Sequence, residues 1–155
     1  MGSIHLDDLN WEHHGYSRWR AYGQSKLANL LFMSELQRRL DDAGSSIRVT
    51  GAHPGYAATN LQHRTENAVQ NALLAIANRL IAQSEEMGAL PTLFAATQDL
   101  PGDTYVGPDG LAEQRGHPKV VGRSGSARDT ETAARLWEQS EELTGVAFPL
   151  APAVA

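Results

Sequence analysis

Ile47-Arg48-Val49-Thr50-Gly51-Ala52-His53-Pro54-Gly55 decides how the chain is read. Its first six residues are short, rich in β-branched side chains and bounded by turn residues, which predicts a strand over 47–52. Pro54 cannot continue a hydrogen-bonded ladder and Gly55 permits a sharp turn, so the strand ends there. Upstream, from about Arg18 to Leu40, the pattern is helical. Leu27, Leu30, Leu31, Met33, Leu36 and Leu40 recur at spacings of three and four, with Glu35, Gln37, Arg38 and Arg39 between them. Asp41-Asp42-Ala43-Gly44 stops that helix, with Gly44 as a left-handed cap. Residues 1–17 carry no sustained period and read as loop.

Downstream, residues 56–65 read as loop. Asn67 to Ala82 forms a second helical pattern, with Val69, Leu73, Ile76 and Leu80 on one stripe. Ser84 caps a third helix with Glu85 and Glu86 in its first turn, and Pro91 kinks or restarts it. Thr104-Tyr105-Val106 is a brief strand, and the glycine-rich run Gly107–Gly125 has little regular structure of its own. Asp129 to Leu143 is the last helix, with Leu136, Trp137, Ser140 and Leu143 facing inward and Gly145 as its stop. Residues 149–155 form a flexible tail. The expected fold is α/β, mostly helical, with two short parallel strands. Two such strands cannot fill an open sheet of the usual size, the first hint of a part of something larger.

Composition bounds the function. A chain of 155 residues suits one domain. It has no cysteine, which excludes disulfides, thiolate metal sites and cysteine nucleophiles. The net charge of −5, without a dense basic patch, argues against nucleic acid as the main partner. The longest mostly apolar stretch, Ala72–Ala82, is too short to span a bilayer and is interrupted by Asn78 and Arg79. No secretory pattern precedes Asp7, so the cytoplasm is the expected compartment. The histidines, including His13-His14, show no metal-ligand spacing, and no metal is expected. Asp7-Asp8 reads as a solvated turn. Trp11, Trp19 and Trp137 read as packing residues.

Tyr22 and Lys26 stand out because the chain has only two lysines, the other being Lys119. Four residues apart on a helix, their side chains share one face about 6 Å apart along the axis. A phenol is a poor acid–base group near neutrality, and a neighbouring ammonium favours the phenolate. The pair suits proton exchange with a carbonyl or an alcohol. The plainer account is a surface tyrosine beside a solvated lysine.

Context favours the first account. Tyr22-Gly23-Gln24-Ser25-Lys26-Leu27-Ala28-Asn29 resembles the catalytic helix of the short-chain dehydrogenase/reductase family. The strand Ile47–Ala52 and the run His53-Pro54-Gly55-Tyr56-Ala57-Ala58-Thr59 resemble the family strand that ends in Pro-Gly, with a threonine four residues on. Ile4–Trp11, Tyr16–Trp19, Tyr105–Gly110, Arg135–Glu138 and Leu143-Thr144-Gly145 are similar to the retinol-dehydrogenase-like and protochlorophyllide-reductase-like branch. The resemblance covers residues 1–148. It implies the C-terminal half of a doubly wound Rossmann-type domain that interconverts an alcohol and a carbonyl with NAD or NADP. It also implies roles. Tyr22 is the catalytic proton donor and acceptor, and Lys26 binds the nicotinamide ribose and favours the phenolate. Pro54 and Gly55 pass beside the nicotinamide, and Thr59 reaches its carboxamide or phosphate. Residues 60–85 become a substrate-side lid, for which core packing is the plainer account, and the substrate is a small apolar molecule.

The family's glycine-rich cofactor motif is missing: the sequence holds no Gly-x-Gly-x-x-Gly. The catalytic serine is not evident either, and Ser3 fits its spacing poorly. The expectation is a chain inactive by itself. A non-enzymatic fragment or interaction module that binds another protein chain is the alternative. The family's helical interface allows a homodimer. With the strand 47–52 lacking one neighbour, an apolar patch is expected at Ile47, Val49, Leu30 and Leu31.

Overall fold

The computed structural model describes residues 2–55 and 83–149. The predicted helix 67–82, Thr59, most of the lid and nearly all of the tail lie outside the described residues. The chain divides into two compact units, Met1–Val49 with Pro101–Asp103 and Arg123–Ala155, and Thr50–Leu100 with Thr104–Gly122.

The first unit is built on two helices, α1 (Arg18–Asp42) and a second one, Thr130–Thr144, numbered α3 below. α1 ends as its sequence predicts. Gly44 N–H bonds the Asp41 carbonyl and Ser45 N–H reaches back to the Leu40 carbonyl, both at 2.9 Å. Asp129 caps α3 by accepting from Thr132 N–H at 3.0 Å. The helical spacing of Leu27 and Leu31 turns both onto Ala133 and Leu136 of α3 and onto Ala127 in the 3₁₀ turn Gly125–Arg128. Ile4, Leu6, Leu9, Ala28 and Leu30 border this core. Each leucine so buried contributes about 1.5–3 kcal/mol.

The expected patch is only partly present. Ile47 is 62% exposed, but Leu31 is fully buried because α3 covers its face of α1. Leu143, expected inside, is exposed, as is Trp19, while Trp137 is buried.

The far end of α1 is fastened by polar side chains. Glu35 is buried and accepts two bonds from the Arg38 guanidinium (2.7 and 2.9 Å) and one from Arg39 (2.7 Å). The Arg38 fork is the main reason its carboxyl sits below the usual range. Burial opposes that shift, and Arg39 adds to it. Gln37 accepts the Val49 N–H at 2.6 Å. The Val49 carbonyl takes the Asp103 N–H at 2.8 Å. Arg123 bonds both carboxylate oxygens of Asp103 and the Ser34 hydroxyl. Arg123, Ser34 and Gln37 thus join three separate stretches of chain.

The second unit is a small sheet with one described helix. β1 (Thr50–Ala52) runs parallel to β2 (Thr104–Pro108), with Thr50 opposite Thr104, Gly51 opposite Tyr105 and Ala52 opposite Val106. Parallel pairing of these two segments follows the sequence reading. The strand begins at Thr50 rather than Ile47, because Val49 spends its N–H on Gln37 and Ile47 bonds the Ser45 hydroxyl at 3.2 Å. A third strand corrects the expected two. β3 (Pro118–Val120) pairs antiparallel with β2, so the sheet is mixed, in the order β1-β2-β3. α2 (Glu85–Thr97) packs on this sheet. Ser84 caps it, accepting from Met87 N–H at 3.3 Å. Its buried stripe of Gly88, Pro91 and Ala95 is small, which lets the helix lie close to the strands. Pro91 stands inside one continuous helix.

Candidate active site

The first turns of α1 carry the predicted pair. Tyr22 and Lys26 are both exposed, and the Lys26 ammonium lies 5.3 Å from the centre of the Tyr22 ring, within cation–π range. The helical period explains the exposure. Gln24, two residues from each, points the other way and is buried. Its side-chain oxygen accepts the His5 N–H and its amide donates to the Leu9 carbonyl, both at 3.1 Å. Gln24 therefore pins the preceding loop to α1 while leaving Tyr22 and Lys26 on the open face.

That loop has its own anchor. Asp8 is buried rather than a solvated turn residue. It accepts the N–H groups of Glu12 (2.7 Å), His13 (3.0 Å) and His14 (2.8 Å), and lies 2.8 Å from His14 Nδ1. Burial raises its carboxyl. The donors from His14, Glu12 and His13 outweigh that effect and hold it well below the usual carboxylate range.

Pro54 and Gly55 belong to the other unit and follow β1 directly. Gly55 has φ +67°, a conformation that glycine adopts without strain. Gln83, buried, donates to the Pro54 carbonyl at 2.6 Å and accepts Gly116 N–H at 3.0 Å. His53 Nδ1 accepts Gly55 N–H at 3.3 Å, and its Nε2 faces Glu113 Oε2 at 3.2 Å. The structure thus brings Tyr22 to Lys26 and Pro54 to Gly55, each pair within its own unit, and Thr59 lies outside the described residues. Among the described residues, no cluster of histidine and carboxylate side chains is arranged to hold a metal ion. Sequence reasoning missed Gln24, Asp8, His53 and Gln83. A histidine directly before a Pro-Gly turn was a usable signal; Gln83 gave none.

No family model matches the chain. Curated relatives do. Human retinol dehydrogenase 13 is 36% identical over 155 residues, covering 96% of this chain and 43% of the relative. Mouse polyprenol dehydrogenase is 34% identical, covering 94% and 41%. The chloroplastic short-chain dehydrogenase TIC 32 B of Brassica napus is 34% identical, covering 83% and 38%. A crystal structure of an uncharacterized protein from Mycobacterium paratuberculosis superposes with a TM-score of 0.73 at 49% identity, covering 96% of this chain and 47% of that one. The chain spans less than half the length of these relatives. With the parallel β1–β2 pair, its Pro-Gly turn and the Tyr22–Lys26 helix in the expected chain order, the chain belongs to the short-chain dehydrogenase/reductase family, in its retinol-dehydrogenase-like branch, as a partial C-terminal region of that fold.

Proposed function

We propose that this chain carries the proton-transfer half of an NAD- or NADP-dependent oxidoreductase that interconverts an apolar alcohol and its carbonyl. The observation that carries the reading is the exposed Tyr22 phenol with the Lys26 ammonium 5.3 Å from its ring, on a helix of this family. Tyr22 donates its phenolic proton to a carbonyl oxygen in reduction and accepts the hydroxyl proton in oxidation. Lys26 offers three N–H donors to ribose hydroxyls. The dinucleotide, when bound, supplies or takes the hydride.

The residues present fit one end of that cofactor. In the first unit, the exposed Lys26 ammonium suits ribose hydroxyls, and in the second unit, taken by itself, the close-packed Pro54-Gly55 turn suits a flat ring, with Thr59 proposed as a further cofactor contact. No glycine-rich turn in the sequence cradles a pyrophosphate. The names of the relatives, retinol and polyprenol dehydrogenase, support an apolar substrate. The cysteine-free composition is compatible with the cytoplasm as its compartment.

The test joins this chain to a complete dinucleotide-binding half and assays retinaldehyde reduction with NADPH and NADH. Tyr22→Phe should abolish most turnover while leaving dinucleotide affinity nearly unchanged. Near-normal turnover in that variant would remove the catalytic assignment.

A further inference from the structure

The Pro54-Gly55 turn is held from behind by a loop to which the sequence reading gave no task. A Cβ added at Gly55 would come within 2.5 Å of the Gln114 carbonyl oxygen and 2.8 Å of the Pro108 ring. The turn is therefore in close contact with the 108–114 stretch. Two side chains fasten it there. Gln83 takes the Pro54 carbonyl and ties it to Gly116 N–H. His53 takes the Gly55 N–H on Nδ1, which leaves its proton on Nε2, where Glu113 accepts it. The imidazole is fixed further by stacking on Tyr105, ring centres 5.2 Å apart, and by Gly107. A Cβ at Gly107 would fall 2.0 Å from His53 Nε2.

We infer that His53 and Gln83 are positioning residues that set the Pro54-Gly55 turn for the nicotinamide end of the cofactor. The inference rests on the oxidoreductase reading above. Its physical content is a division of labour. The Pro54 carbonyl and the Gly55 N–H are both satisfied by these two side chains. The turn then presents a backbone surface with those polar groups already committed, which suits the flat face of a nicotinamide ring. Preorganising the turn removes an ordering cost that binding would otherwise bear.

The test uses the 155-residue chain and reduced nicotinamide mononucleotide, the piece of cofactor the turn would meet. The readouts are Gly55 amide exchange, the Gly55 amide shift during titration, and Tm. In the wild type, Gly55 exchanges slowly and its shift moves on titration. His53→Phe and Gln83→Met should speed Gly55 exchange about tenfold or more. Both should weaken binding about fivefold or more. Tm should stay within about 3 °C, so that a merely structural role is separated. His53→Asn, whose side-chain oxygen can still accept the Gly55 N–H, should restore part of both effects. Unchanged exchange in both variants overturns the clamp. Faster exchange with unchanged affinity overturns its part in cofactor binding and leaves the oxidoreductase reading standing. A wild-type chain whose Gly55 never responds overturns the inference, while the oxidoreductase reading is decided separately by Tyr22→Phe in the joined protein.

Discussion

At the start of α1, Tyr22, Ser25 and Lys26 are exposed, whereas toward its end Glu35, Gln37 and Leu40 are buried. The two regions share one helix and one period, so geometry alone does not separate them. Commitment of the polar groups does. Glu35 is saturated by two arginines and Gln37 by Val49 and Asp41. Near the start, the Tyr22 hydroxyl and the Lys26 ammonium meet no carboxylate among the described residues, and Gln24 does the anchoring instead. Polar groups spent on the fold have no capacity left for substrate; those left unspent on an open face do.

The sharpest way to break this contrast is to change one residue at each end. Tyr22→Phe, in the joined protein, should lower turnover about a hundredfold or more. Its Tm should hardly move, since an exposed hydroxyl is lost. Leu31→Ala, deeper in the same helix, should do the reverse. It empties a fully buried site and should cost about 2–5 kcal/mol in urea unfolding, with no direct effect on proton transfer. If Leu31→Ala kept full stability, the core formed by α1 and α3 would be wrongly drawn.

Glu35→Gln sharpens the comparison by pH. The folded carboxyl lies below its unfolded value, chiefly through the Arg38 fork, against opposing burial. Its contribution is therefore complete above the ordinary carboxylate range and is lost as pH falls through the folded value. Arg38 is half exposed, so the loss should be on the order of 1–2 kcal/mol rather than that of a fully buried pair. Unfolding midpoints compared near neutrality and in acid should converge for the wild type and the variant. A constant gap at every pH would mean that charge plays no part.

Legibility in the sequence followed the range of the forces. α1 and α3 were readable because period and caps are local: Gly44, Asp129 and Gly145 sit at or next to the helix ends. The parallel pairing of 50–52 with 104–106 was readable because each segment belongs to a short strand-like run bounded by turn residues. Ile47–Val49 was misread because a glutamine twelve residues away takes the Val49 donor. β3 was missed because it is three residues long, starts with proline and is largely exposed. Leu31 departs from the expected patch because α3, distant in sequence, covers its face of α1. Tyr22 and Lys26 were found because their spacing is four residues. Gln83 was not, because its partners lie 29 and 33 residues away.

Asp8→Asn should have the smallest effect and tests whether the loop before α1 is scaffold or site. The Asp8 carboxylate collects three backbone N–H groups and the His14 ring, and Gln24 ties the same loop to the helix that presents Tyr22. Burial raises its carboxyl, yet the donors win and the folded value lies below the unfolded one. The sign is thus the same as for Glu35: the contribution is present above the ordinary carboxylate range and fades as pH falls through the folded value. Asparagine keeps one acceptor oxygen but places an NH₂ group toward donors that it cannot serve. The variant should lose a few degrees of Tm at neutral pH and almost none in strong acid. Amide exchange over residues 12–14 should speed up. Turnover of the joined protein should change by less than about threefold, because Gln24 still holds the loop to α1. A collapse of turnover as deep as that of Tyr22→Phe, with Tm intact, would place the loop inside the site. The contrast between the two ends of α1 would then become one between a site built on loop and helix together and a scaffold that begins only at Leu27.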